Sequence, residues 1–321
     1  MGNIITFPKD GTAQGVAKVR HYESLLPSEQ QLYSDPFAYA MFPGSIIQQW
    51  LGPSLIDRIY RWMNLTGFQE MISIRTKWLD DEIMKAATAS DQLLILGAGY
   101  DTRGFRLNLW NSSDEMEDND NDVFRVIEVD QPEVQKKKIA NLQWLVSRNK
   151  KDGEMISDRI MSKKVAFIPV NFNEDNLQSK LETSDQFQSN KCTIVTMEGV
   201  TQYIPKESTA DTLKKLKNIV SSGSTLLITY VDEEKCFIQH DSTTQQQQKQ
   251  IEMVKSMAAK VGEKWISSWR KDEFELFLSE CGYNVISDTS PEDYNETYLK
   301  RVGRQLDELL SMERFVVAKL L

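Results

Sequence analysis

The stretch Leu93-Leu94-Ile95-Leu96-Gly97-Ala98-Gly99-Tyr100-Asp101 decides the fold. Its unbroken apolar run reads as a short strand buried on both faces, the mark of a parallel sheet. The run passes straight into Gly97-Ala98-Gly99, where missing Cβ atoms let the backbone approach a ligand closely. Gly-x-Gly after a strand is also an ordinary tight turn, so the rest of the chain must decide between the two readings.

Outward from this turn, short apolar runs alternate with helical or polar stretches. The spacing predicts strands over residues 92–96, 123–129, 164–170, 193–197, 225–231, 283–287 and 315–319. Seven strands with intervening helices imply an α/β fold, a doubly wound and mostly parallel sheet. Upstream, residues 16–89 read as helical, with breaks at Pro27, Asp35-Pro36, Pro43-Gly44 and Gly52-Pro53. A helical extension over residues 1–89 is therefore expected ahead of a ligand-binding region over 90–321, the two forming one structural unit. The last helix of the extension places Ile72, Leu79, Ile83 and Ala86 on one face, with Arg75 at its edge. Arg75 either covers the core with its stem or aims an anion-binding group at a ligand.

The bulk numbers describe an ordinary globular chain: 321 residues, 40% apolar and 26% charged, with seven tryptophans. A net charge of -9 argues against a nucleic-acid partner, because phosphate backbones are bound by clustered cations. Six of the acids (Asp114, Glu115, Glu117, Asp118, Asp120 and Asp122) crowd residues 111–122, which read as a solvated loop insertion. Three well-separated cysteines, Cys192, Cys236 and Cys281, suggest neither a disulfide framework nor a zinc cluster, and point to a reducing, cytoplasmic setting. His21 and His240 are too few for a His-rich metal site, so no metal is expected. No apolar run is long enough to span a bilayer, and no basic segment followed by an apolar one opens the chain. Met1-Gly2-Asn3-Ile4-Ile5-Thr6 fits the loose pattern for N-myristoylation. The polar tract from Ser242 to Gln250 reads as a loop or the start of a solvated helix.

The strand ends narrow the ligand. A dinucleotide fingerprint needs glycine where Thr102 stands, and Asp101 would repel a diphosphate. A cofactor carrying an amine and a sulfonium tolerates that carboxylate, which favours S-adenosylmethionine over a nicotinamide dinucleotide. Asp130 lies 31 residues beyond Gly99; removing the twelve-residue acidic stretch leaves 19, close to the roughly 20 expected for an acid that holds ribose hydroxyls. Strand alternation puts Glu128 on the same side, so either acid could serve, and either could instead cap the next helix. Asn171 and Phe172 end the third strand, where an adenine would lie. Glu198, ending the fourth, suits the cofactor's amine or a substrate, or else caps a helix; Tyr203 is a candidate for orienting the acceptor.

Together these residues resemble the leucine carboxyl methyltransferase family, and especially its small-molecule O-methyltransferase branch. The resemblance rests on Val16-Ala17-Lys18-Val19-Arg20, Ser34-Asp35-Pro36-Phe37-Ala38, Ile74-Arg75-Thr76, Leu79-Asp80-Asp81, Gly97-Ala98-Gly99-Tyr100-Asp101-Thr102-Arg103, Glu128-Val129-Asp130-Gln131-Pro132 and Glu198-Gly199-Val200-Thr201-Gln202-Tyr203. It implies a class I methyltransferase sheet with the N-terminal helices as a lid. It further implies that Arg75 meets the cofactor's methionine carboxylate, that Gly97, Ala98 and Gly99 line the methionine portion with Asp101 and Arg103 beside them, and that Asp130 holds the ribose. Asn171 departs from the aspartate that similar proteins often carry. The acceptor would be a carboxylate or hydroxyl of a small molecule, or a protein C-terminus. A carboxylate is already ionised near neutral pH and asks mainly for placement, whereas a hydroxyl asks for a base. The rival readings are a noncatalytic scaffold binding a protein through its helical lid, and a nicotinamide oxidoreductase.

Overall fold

The computed structural model describes residues 11–63, 65, 67–110, 123–172, 174–238, 245–306 and 309–321. The myristoylation pattern, the acidic stretch 111–122, His240 and the start of the glutamine tract lie outside them.

In chain order the elements are α1 (Gly11–Leu25), α2 (Ser45–Trp62), α3 (Phe68–Ala87), β1 (Gln92–Leu96), α4 (Arg103–Arg106), β2 (Arg125–Asp130), α5 (Pro132–Arg148), α6 (Lys150–Met161) and β3 (Val165–Pro169). They continue with α7 (Leu177–Glu182), β4 (Thr193–Met197), α8 (Lys206–Lys217), β5 (Thr225–Val231), α9 (Glu233–Phe237), α10 (Gln245–Lys260), α11 (Lys271–Glu280), β6 (Tyr283–Thr289) and β7 (Glu313–Leu320).

The seven strands form one sheet in the order β3-β2-β1-β4-β5-β7-β6. Pairings among the first five are parallel, and β7 runs antiparallel between β5 and β6. The doubly wound expectation is met, with one reversed strand. Alternation of side chains across the pleat builds two cores. Leu93, Ile95, Val126, Ile194 and Phe315 face Ile74, Trp78, Leu79, Ile83, Leu142 and Ile156 from α3, α5 and α6. Leu94, Leu96, Ile127, Val195 and Val316 face Leu181, Leu213, Phe274 and Leu278 from α7, α8 and α11. Sequential winding outward in both directions from β1 leaves the carboxyl ends of β1 and β4 side by side at the switch point, where such sheets bind ligands.

In the helical extension α3 lies on the sheet, with Trp78 stacked on Phe315 at 5.1 Å between ring centroids. The break read at Gly52-Pro53 is a kink inside α2: Gly52 adopts φ 70, ψ 165. Gln245 to Gln250 open α10, so the described part of the glutamine tract is helical. No helix among the described residues is long and apolar enough to cross a membrane.

Candidate functional site

The turn after β1 is hooked onto β2 by its own backbone: Gly97 and Ala98 both donate to the Val129 carbonyl, at 2.9 and 3.1 Å. Gly97 and Gly99 have φ of +67° and +48°, the left-handed region that favours glycine. A Cβ on Gly97 would lie 2.5 Å from Val200 Cγ2 on the turn after β4, so the two turns meet with no room for a side chain.

The two acids of β2 divide. Asp130 sits half-buried at the strand end, where its Oδ2 accepts the Gly99 N–H at 2.5 Å. Glu128 is fully buried below it and ion-pairs with Lys138 of α5. Burial pushes the Glu128 carboxyl up to about 7, against the pull of Lys138 and with a push from Asp101. Although alternation left both acids open, only Asp130 remains at the edge.

Arg75 and Arg103 share Glu198. Arg75 Nε donates to Glu198 Oε1 at 2.8 Å, and its Nη1 donates to both oxygens of Glu313 at 2.9 and 2.7 Å. Arg103 donates through Nη1 to Glu198 Oε2 at 2.6 Å and to Asp101 Oδ2 at 2.6 Å, and through Nε to Asp80 at 2.7 Å. Arg106 joins Asp80 at 2.6 Å, and Asp35 lies 3.8 Å from Arg106 and 2.9 Å from Arg20. Burial opposes the charges of Glu198, Asp101 and Arg75, yet their partners prevail: Glu198 and Asp101 are held below the usual carboxylate range, Asp101 chiefly by Arg103, and Arg75 above its ordinary value by Glu313 and Glu198. This connected, buried set holds five carboxylates (Asp35, Asp80, Asp101, Glu198, Glu313) and four guanidiniums (Arg20, Arg75, Arg103, Arg106), leaving one negative charge in excess.

Helix α1 closes over the glycine turn. Ala13 Cβ lies 3.2 Å from where a Gly99 Cβ would stand, Arg20 donates to the Tyr100 carbonyl, and Thr102 Oγ1 donates to Asp35 Oδ2 at 2.6 Å. At the other expected positions, Asn171 N donates to Asp175 Oδ2 at 2.9 Å, and Phe172 packs against the second core. The Tyr203 hydroxyl lies by Thr12 and Trp265, and burial raises its pKa. His21 is buried against Tyr39 and Phe42, and burial lowers its pKa against the pull of Asp35. An open cavity of about 500 Å³ lined by Leu25, Leu26, Pro53 and Asp57 shares no residue with this set.

From sequence, Asp80 entered only within the Leu79-Asp80-Asp81 segment of the resemblance, without a role of its own, and Glu313 did not enter at all. Asp80 could have been singled out, since it interrupts the buried positions Trp78, Leu79 and Ile83 of α3 with a carboxylate. Glu313 gave no such signal, standing 238 residues from its partner Arg75 and just ahead of an apolar run.

Residues 13–217 match the model of the leucine carboxyl methyltransferase family. The chain belongs to that family. YktD of Bacillus subtilis, whose name places it among S-adenosyl-L-methionine-dependent methyltransferases, is 28% identical over 222 residues, covering 69% of this chain and 62% of the relative. A Frankia alni protein of similar name is 39% identical over 106 residues, 30% of this chain and 34% of the relative. The matched segments thus span under two thirds of these relatives' own lengths. Among solved structures, a DUF574 family protein from Streptomyces avermitilis superposes with a TM-score of 0.57 at 12% identity, covering 94% of this chain and 97% of the other. A Thermobifida fusca protein titled as a methyltransferase gives 0.52 at 13% identity, covering 94% of both chains. At such identities these two speak for the fold. What the chain shares with them is the architecture described above, a seven-stranded sheet with helices on both faces.

Proposed function

We propose that this member of the leucine carboxyl methyltransferase family is an S-adenosylmethionine-dependent O-methyltransferase whose acceptor is a carboxylate, of a small molecule or of a protein C-terminus. The observation that carries the reading is the single excess negative charge of the buried set beneath the glycine turn. S-adenosylmethionine, with an ammonium, a sulfonium and a carboxylate, carries one net positive charge and matches it. A nicotinamide dinucleotide brings a diphosphate, which Asp101 opposes; α4 behind the turn is only four residues long and gives little helix N-terminus to hold it.

In this reading Gly97, Ala98 and Gly99 admit the methionine portion, Asp130 accepts from the ribose hydroxyls, and Asn171 and Phe172 border the adenine. The Arg75 edge left over after Glu198 and Glu313 meets the methionine carboxylate. Asp101 and Arg103 act from below by fixing Glu198, and Glu128 by fixing α5 through Lys138. Helices α1 to α3 serve as the lid, over residues 1–89, on a cofactor-binding region over 90–321. The bound cofactor supplies an electrophilic methyl group on sulfur.

The choice of acceptor follows from the bases on offer among the described residues. His21 is enclosed and biased towards its neutral form, and the Tyr203 hydroxyl resists ionisation, so neither readily takes a proton from an alcohol. A carboxylate arrives ionised and needs only to be placed, with Tyr203 available to orient it. Calorimetry should show saturable binding of S-adenosylmethionine and none of NAD. Transfer of labelled methyl to a panel of carboxylic acids should yield products that release methanol in alkali, as esters do. Alkali-stable products would move the acceptor to hydroxyls, and NAD binding without S-adenosylmethionine binding would overturn the reading altogether.

A further inference from the structure

Helix α2 buries little of itself. Of its apolar side chains only Ile56 is buried, against Tyr22 and Leu26. On its outer side Ile46 is 80% exposed, Ile47 63%, Trp50 83% and Trp62 83%, with Leu55 and Ile59 also exposed. Ile46 and Trp50 are four apart on the first segment; Leu55, Ile59 and Trp62 are four and three apart on the second, so each presents an apolar stripe. Nothing in the cofactor reading requires two tryptophans in water, and a contiguous exposed apolar patch marks a docking surface.

Charge identifies the occupant. The exposed charged side chains of α2 are Arg58 and Arg61, both positive, in a chain of net charge -9. Its one acid, Asp57, accepts a hydrogen bond from the Tyr22 hydroxyl at 2.5 Å on the inner side. A second copy docked on this helix by two-fold symmetry would offer these arginines no exposed acid of α2 to pair with. Tryptophans at an apolar face flanked by cations suit the boundary between lipid headgroups and acyl chains. We propose that α2 docks the protein on an anionic lipid surface, with Ile46, Ile47, Trp50 and Trp62 entering the boundary and Arg58 and Arg61 meeting the headgroups.

The test is sedimentation of the full chain with vesicles of phosphatidylcholine alone or mixed with phosphatidylserine. The unaltered chain should pellet with the mixed vesicles, and added salt should release it. Trp50→Ser/Trp62→Ser should weaken vesicle binding by about tenfold or more. Arg58→Gln/Arg61→Gln should lose about fivefold per arginine and with it the preference for phosphatidylserine. Both pairs are exposed, so the thermal unfolding midpoint of either variant should match the parent and show the fold intact. The proposal is overturned if the parent ignores both kinds of vesicle, or if Trp50→Ser/Trp62→Ser binds as the parent does. It is equally overturned if the parent is a dimer that this variant turns into a monomer, which would assign the face to self-association.

Discussion

Gly97 has the least freedom of any residue at the site. A side chain there meets both a left-handed backbone and Val200 at 2.5 Å. Gly97→Ala is expected to cost about 1–3 kcal/mol and at least about tenfold in S-adenosylmethionine affinity, measured by denaturant unfolding and calorimetry. Arg103 is a different kind of dependency, because three carboxylates converge on it in a place water does not reach. Arg103→Met should lower unfolding stability by about 3–5 kcal/mol, whereas a surface pair such as Lys163 with Asp185 should be close to neutral when broken. Glu128 gives a pH signature. Its carboxyl at about 7 lies above the ordinary 4.5, so the folded chain holds that proton more tightly than the unfolded one. Its contribution is full below pH 4.5 and is lost as pH rises through 7, a decline of about 1–3 kcal/mol. Asp101 works oppositely, below its ordinary range, and withdraws stability only in stronger acid. Unfolding curves across this interval should show the decline in the parent and a flatter profile in Glu128→Gln. Strand alternation by itself left Glu128 and Asp130 as equals, since it reports the side of a strand but not its depth, and Lys138 reaches Glu128 from another element.

Among elements, α1 is fastened to the glycine turn at a few points, with Asp35 gathering Arg20, Thr102 and the N–H groups of Phe37 and Ala38. Asp35→Ala removes all of these acceptors at once. Amide exchange over residues 11–25 should speed up markedly while β1 and β4 stay protected, and S-adenosylmethionine should dissociate faster if α1 is the lid. Fast exchange across the whole sheet would instead mean that Asp35 holds the entire fold. Strand limits were legible wherever apolar residues run to the end, as in β1, β4 and β5. They were not where ions terminate the strand. β7 begins two residues early, at Glu313, and β6 runs on to Thr289, because Glu313 is matched by Arg75 and Arg314 by Asp288 at 2.7 Å. Hydropathy counts such residues as loop, and only the partner, remote in sequence, makes them strand.

Across the whole molecule, ligand binding and stability are one equilibrium. S-adenosylmethionine at a hundred times its dissociation constant should stabilise the folded chain by about 2.7 kcal/mol, raising the midpoint of thermal unfolding by about 4 °C for a chain of this length. NAD at the same concentration should leave it unchanged. The doubly wound class was readable because apolar strands alternate with helices along the chain. The charge set was not, because it draws on α1, α3, α4, the turn after β4 and β7, whose meeting is a product of the fold.

The reversed strand β7 gives that set a timetable. Glu313 follows Arg75 by 238 residues, yet it supplies two of the three carboxylate oxygens that hold that guanidinium. Until it arrives, a nascent chain holds the Arg75 guanidinium against Glu198 alone, poorly compensated and drawn to water. The charge set around Arg75 is therefore complete only once synthesis has passed β7.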